Sequence, residues 1–303
     1  MRNFGIEIEL NSFDQRDFKN NYLQKGERPL GIEYIFNYLL NIGLDVKLDD
    51  WHNNHNNKEW ICKPDSSCGI EICSPVLENF QQVEKVINFL SNDECIKIDD
   101  RCSFHVHVNV EDLEKDNILS VLCWWIKFDH LFLEAMPDCR KMNKYCQCIG
   151  ITDIFNHDDI INKEIINKLG QSKYLSCNTF HLCRGSRNTI EFRIADADAC
   201  LNIDYAKNWV LLLIHFVDTF KNENVPDSLV WENPKKLFNF LFKDENTRNI
   251  RNWFINKIKK NVNSNILNWD YDFRKSSIFE FLEILNNLQL DKDCFCNSNL
   301  MNK

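Results

Sequence analysis

The chain has 303 residues, with 36 Lys and Arg against 45 Asp and Glu and a formal net charge of -9, which argues against a polyanion-binding surface, since non-specific nucleic-acid binding needs clustered cations. Hydrophobic residues at 44% and charged residues at 27% give the balance of a folded chain long enough for one large domain or a domain with an appendage. No apolar run approaches the ~20 residues that span a bilayer and MRNFGIEIEL lacks a secretory h-region, so a cytoplasmic protein without membrane contact is expected, with its 14 cysteines reduced.

In chain order, FGIEIEL reads as a strand with Phe4, Ile6, Ile8 and Leu10 on one face and Glu7 and Glu9 on the other. Leu30 to Ile42 keeps helical spacing through Ile32, Ile35, Leu39 and Ile42, and Gly43 follows as a stop. His52 and His55 lie in an Asn-rich stretch and form no site by themselves. In WICKPDSSC the residues Pro64-Asp65-Ser66-Ser67 read as a turn, and the hairpin it makes with GIEICSP brings Lys63 near Glu71. Phe80 to Leu90 is a helix candidate.

FHVHVNV alternates again, with His105, His107 and Asn109 opposite Phe104, Val106, Val108 and Val110. Asn117 to Ala135 is a second long helix candidate. Cys146/Cys148 and Cys294/Cys296 are CxC pairs, without the spacing of a structural zinc site. NTIEFRIAD sets Glu191 and Arg193 against Ile190, Phe192 and Ile194, and Tyr205 to Phe220 is again helical. Past Asn222 the composition changes: Asn233-Pro234 starts a helix, Arg248 to Lys260 is a modestly basic helical face, and Ser277 with Glu280 forms a capping box before a polar tail from about Asp291. The chain is therefore expected to be α+β, with a largely antiparallel sheet over residues 1–221 and a helical extension over 222–303.

Each charged strand alone is what a one-sided sheet would show. Together they put Glu7, Glu9, Glu71, His105, His107, Glu191 and Arg193 on one face of one sheet, under helices that cover the other. Carboxylates so gathered repel one another and raise their pKa values unless a cation sits among them. Carboxylate oxygens with imidazole suit Mg²⁺ or Mn²⁺, so the face reads as a metal cradle for a polyphosphate, with Arg193 able to fork onto phosphate oxygen.

The order of these segments, Glu7-Ile8-Glu9, then Glu71, then His105-Val106-His107, then Glu191-Phe192-Arg193, resembles the amidoligase family, relatives of glutamine synthetase and glutamate-cysteine ligase, over residues 1 to 220. The resemblance implies a glutamine-synthetase-like sheet. It implies metal ligation by Glu7, Glu9, Glu71, His105 and Glu191, and ATP-phosphate contacts from His107 and Arg193, with Lys63 and Arg140 as further nucleotide or substrate contacts. Catalysis would then fall on Arg193, Glu71 and Glu191. The departures, Ser103-Phe104 and Ser66 where the family tends to have glycine-containing wording, bear on loop geometry.

The activity implied is ATP-dependent joining of a small-molecule or peptide carboxylate to an amine through an acyl phosphate. Two other classes stay open at this point: a guanidino-kinase-like phosphotransferase, and a nucleotide-binding module without turnover. Neither the substrates' identity nor the oligomeric state is written in the sequence.

Overall fold

The alternating segments form the middle of one seven-stranded sheet in a computed structural model that describes residues 1–14, 28–49, 58–141, 143–149, 164–229 and 234–262. The strands are β1 (Phe4–Asn11), β2 (Val46–Leu48), β3 (Trp60–Asp65), β4 (Gly69–Cys73), β5 (Ser103–Asn109), β6 (Cys177–Asn178) and β7 (Thr189–Asp196), in the spatial order β2-β3-β4-β1-β5-β7-β6. Neighbours are antiparallel except β2 and β3. Helices α1 (Ile32–Asn41), α2 (Gln81–Asn92), α3 (Lys115–Glu134), α4 (Asp138–Lys141), α5 (Glu164–Leu169), α6 (Phe180–Cys183), α7 (Asp198–Leu201), α8 (Ile203–Phe220), α9 (Pro234–Leu241) and α10 (Arg248–Val262) complete a mixed α+β fold.

The sheet is one-sided because its strands alternate. Ile6, Ile8, Ile70, Ile72, Phe104, Val106, Ile190 and Phe192 are buried on the apolar face, each worth roughly 1.5–3 kcal/mol relative to exposure. Helices close over that face: Phe80, just before α2, packs its ring 5.1 Å from Phe4, and Trp125 of α3 meets Phe192 edge-on at 4.6 Å. Local signals agree with this packing. Glu114 and Asn117 form a capping box at the start of α3, and the Asn202 side chain caps α8 by accepting from the Tyr205 amide. Gly43, at φ 80°, ends α1 in the left-handed conformation that a residue with Cβ resists.

Two backbone features depart from the sequence expectation. Pro64 belongs to strand β3, paired with Ile70, and the turn is centred on Asp65 to Cys68, where the Asp65 carboxylate accepts from the Ser67 and Cys68 amides. Proline is tolerated there because β2 pairs with Trp60 to Cys62, so that among the described residues Pro64 has no partner strand on its outer side. Strand β7 carries a bulge: Phe104 pairs with Ala195 and Val106 with Phe192, so Arg193 and Ile194 together face His105.

Helices α9 and α10 join the same core as the sheet. Leu237, Leu241, Phe254, Ile255 and Ile258 are buried in it, and the Phe254 ring lies 5.3 Å from Phe132 of α3. Among the described residues no helix is long and apolar enough to cross a membrane, and the twelve described cysteines are free thiols. The capping box at Ser277, the tail from Asp291, the His52/His55 pair and Cys294/Cys296 lie outside the described residues.

Candidate active site

Register brings the charged residues together. Across β1 and β5, Glu7 faces His105; across β1 and β4, Glu9 faces Glu71; Glu71 in turn faces Lys63 on β3, and His107 faces Glu191 on β7. Glu7, Glu9, Glu71, His105, His107 and Glu191 are each between 2% and 8% exposed. Six ionisable groups in four adjacent strands are thus removed from water on one face. Such groups persist only when paired, hydrogen-bonded or metal-bound.

The pairing is uneven. Glu7 is contacted by both histidines, at 3.1 Å from His105 Nδ1 and 3.1 Å from His107 Nε2, and lies 3.5 Å from Arg187 Nη1. Glu191 is paired with the Arg193 guanidinium and accepts from Asn178 Nδ2 at 3.2 Å. Lys63 Nζ lies 3.1 Å from Glu71, as the hairpin predicts. Glu9 meets no cation that closely; its partner is the Ser103 hydroxyl at 2.5 Å, which also lies 2.6 Å from His105 Nε2.

The electrostatics follow that division. Burial pushes all four carboxyl groups up, but at Glu7 the His107 charge and hydrogen bonds from both histidines outweigh it, and at Glu191 Arg193 and His107 do so, leaving both below the usual carboxylate range. Burial wins at Glu9, raised to about 8 with help from Asp65, and at Glu71, raised to about 7 despite Lys63. Burial, with Arg193 behind it, holds His105 down to about 4. The Ser103 hydroxyl donates to Glu9 and lies against His105 Nε2, while His105 Nδ1 lies against Glu7, so one hydroxyl and one imidazole link the two carboxyl groups of β1.

Not every residue singled out from the sequence joins this cluster. Arg140 is placed apart: its Nη2 donates to the Arg193 carbonyl at 2.6 Å and its Nε to the Ile194 carbonyl at 3.4 Å, so this buried guanidinium braces the β7 bulge from behind. Sequence reading passed over Arg187, Asn178, Asp65 and His181, whose ring centroid is 5.6 Å from that of His107. Arg187 and His181 lie outside regular strands, where no periodicity reports a side chain's direction. Ser103, expected to matter only for loop geometry, is part of β5 and supplies a hydroxyl to the cluster. Asp65 had a visible signal as the polar member of the hairpin turn.

Among the described residues three groups have donor atoms within 4.8 Å of one another and could hold a cation: Glu7, Glu71 and Cys73; Glu7, His107 and Glu191; and Glu9, Asp65 and Cys68. Burial pushes the Cys73 and Cys68 thiols well up, and across the three groups carboxylate and imidazole donors outnumber thiols. That set fits Mg²⁺ or Mn²⁺ better than zinc. Five carboxyl groups (Glu7, Glu9, Asp65, Glu71, Glu191) share the cluster with Lys63, Arg187, Arg193 and two histidines, and two of those carboxyls are raised toward neutrality, so ionising Glu9 and Glu71 would add two negative charges that a cation could offset.

The buried carboxylate–histidine face lies within residues 1–213, which match the model of a family described as "Putative amidoligase enzyme". The chain belongs to this amidoligase family. No curated protein matches. Among solved structures, a bifunctional glutathione synthetase from Pasteurella multocida is similar at 10% identity and a TM-score of 0.37, with 94% of this chain and 46% of that chain covered.

Proposed function

We propose that the protein uses ATP to activate a small-molecule or peptide carboxylic acid as an acyl phosphate and passes the acyl group to an amine, forming an amide. The observation that carries this reading is the convergence of Glu7, Glu71, Glu191 and His107 with Lys63 and Arg193 on one buried sheet face. In this reading residues 1–221 form a glutamine-synthetase-like catalytic domain and 222–303 a helical extension, whose α9 and α10 pack on the same core. Glu7, Glu9, Glu71, His105 and Glu191 would hold Mg²⁺ or Mn²⁺, with His107 able to join through its shared group with Glu7 and Glu191, and His105 would give up a contact to Ser103 or Glu7 to do so. Bound there, a divalent ion supplies charge neutralisation for phosphate oxygens.

A carboxylate will not condense with an amine in water, because hydroxide is too poor a leaving group. The substrate carboxylate oxygen attacks the γ-phosphorus, the bond to the β–γ bridging oxygen breaks, and ADP leaves. Arg193, freed from Glu191 or shared with it, meets the charge on the transferring phosphoryl group with a planar fork, while His107 and Lys63 contact the polyphosphate. The amine nitrogen then attacks the acyl carbon, phosphate departs with the acyl C–O electrons, and the proton lost by the amine leaves with it as hydrogen phosphate. The buried face holds the reactants together and keeps water from the acyl phosphate.

The test is untargeted mass spectrometry of products made by purified protein, ATP and Mg²⁺ from a metabolite extract. The expected product has the summed mass of two known metabolites less one water, formed with stoichiometric ADP and phosphate. A stable phosphorylated product without phosphate release would replace this reading with phosphotransfer, and no ATP turnover would end both.

A further inference from the structure

Beside the carboxylate cluster, at the Gly5 end of β1, lies a cavity of about 250 Å³. It is lined on the cluster side by His107 and Cys73 and on the outer side by Arg187, Ser186, Thr189 and Ser74. The notch exists because the reactive face lacks one side chain. Gly5 shares the period-two face of Glu7 and Glu9 and pairs with His107, and a Cβ there would stand 3.6 Å from Ser74 Oγ and 3.7 Å from His107 Cβ, in ordinary contact. The backbone therefore tolerates a side chain at this position, and glycine leaves the space open.

We propose that this cavity is the subsite for the acid to be activated, a small carboxylic acid of amino-acid size whose carboxylate is held by Arg187. The proposal rests on the ligase reading and names its acyl substrate. Size comes first, since ~300–1,000 Å³ is usual for drug-sized ligands, and a cavity of about 250 Å³ suits a small acid and not a whole nucleoside triphosphate. Charge comes second. An anionic acid approaching Glu7, Glu71 and Glu191 is repelled unless a cation stands at the entry, and Arg187 is the arginine or lysine in this cavity's lining. Its guanidinium is under-used by the protein: its side-chain contact is a long one, 3.5 Å to Glu7 Oε1, and the side chain is 18% exposed. A planar fork in that state suits bidentate capture of a carboxylate. Asn188, with Glu111 at the exposed rim, can take polar or ammonium substituents of the acid, while the Ser74 and Ser186 hydroxyls already donate to the Pro75 and His181 carbonyls. Capture by Arg187 sets the acid's carboxylate next to Glu7 and His107, where the phosphoryl group would arrive.

The experiment uses the full chain with thermal shift and isothermal titration against the twenty free amino acids, succinate and acetate, each at millimolar concentration, and separately against ATP with Mg²⁺. Wild type should bind at least one of the acids. Arg187→Gln should lower that affinity on the order of 10-fold or more, Arg187→Lys less so, and Gly5→Val should abolish it by filling the notch, with Gly5→Ala intermediate. ATP binding should change much less in all four variants, and melting curves without ligand confirm that each is folded. The proposal is overturned if none of these acids binds wild type, if Gly5→Val leaves acid affinity unchanged, or if Gly5→Val removes ATP binding instead, which would give the cavity to the nucleotide. Failure of ATP to bind wild type, with acid binding intact, would sink the ligase reading while sparing the carboxylate subsite.

Discussion

Glu7 and Glu191 differ from Glu9 and Glu71 in a way that their near-identical burial does not predict. The first pair, on the side of the sheet where β5 and β7 bring histidines and Arg193, is held ionised; the second, on the side of β4 and the hairpin turn, is raised to about 8 and about 7. The difference teaches that depth does not decide the charge of a buried carboxyl group. The count of donors and cations within reach decides it. A metal-free site can then keep its net charge tolerable by leaving Glu9 and Glu71 protonated, and a bound cation would reverse that.

The largest effect is expected from breaking the ionised side. Glu7→Gln and Glu191→Gln remove a charge without changing size, and each should lower ATP turnover by on the order of 10²–10³-fold or more and, by leaving buried partners such as Arg193 unpaired, also lower the melting temperature. Glu9→Gln and Glu71→Gln should also cost turnover severely, yet without metal they should melt no lower than wild type, because the groups they replace are already near neutral. Wild-type-like turnover in any two of the four would end the metal-cradle reading.

Arg193 comes next, and its ion pair with Glu191 supplies a concrete structural alternative. If Arg193 meets the transferring phosphoryl group, Arg193→Lys and Arg193→Ala should each lower kcat on the order of 10²-fold, with the KM for ATP changing much less. If it only neutralises Glu191, Arg193→Ala should lower the melting temperature and leave kcat per folded molecule near normal. Rates normalised to the folded fraction separate the two.

Arg140→Ala should act through stability. Two buried backbone carbonyls lose a charged donor, worth about 1.5–3 kcal/mol, so urea or thermal denaturation should show that loss. Because those carbonyls belong to the bulge that carries Arg193, kcat should fall modestly. An unchanged midpoint would remove Arg140 from this role.

A smaller effect sharpens the comparison through pH. Glu9 and Glu71, with ordinary values near 4.5, bind more protons folded than unfolded up to about 8 and about 7, so the stability they contribute is present at low pH and is lost as pH rises through that range. His105 and His181, held down to about 4 from 6.5, do the opposite, and their contribution is lost as pH falls through 6.5 toward 4. Without metal, the melting temperature should therefore rise as pH is lowered from about 8 to about 6.5 and stop rising below it. Mg²⁺ should stabilise more at the upper end. A flat metal-free profile, unchanged in Glu9→Gln, would contradict the raised carboxyls. The smallest effect expected is that of reductant, which should leave melting unchanged, since the described cysteines are free thiols.

Much of the site was legible because strands are periodic. In FGIEIEL, GIEIC, FHVHVNV and NTIEFRIAD every second residue must face the same way, so Glu7, Glu9, Glu71, His105, His107, Glu191 and Arg193 could be assigned to one face without coordinates. The long helices α1, α2, α3 and α8 were equally readable from spacing and stop signals. Arg140 and Arg187 were not, because both lie on short connecting elements where direction depends on what packs nearby. One turned to the carbonyls of β7 and the other toward Glu7.

By itself, then, the sequence determined the elements, the sidedness of the sheet and the residue types on its reactive face, since these follow from local periodicity and from the need to bury apolar side chains. Tertiary structure alone decided strand order and register, the bulge that sets Arg193 and Ile194 together against His105, the hydroxyl of Ser103 between Glu9 and His105, and the open notch at Gly5. Those are relations between residues about 100 positions apart, as Ser103 and Glu9 are. The charge state of each carboxyl group depends on such through-space distances, because Coulomb and desolvation energies are functions of separation and exposure and not of position along the chain.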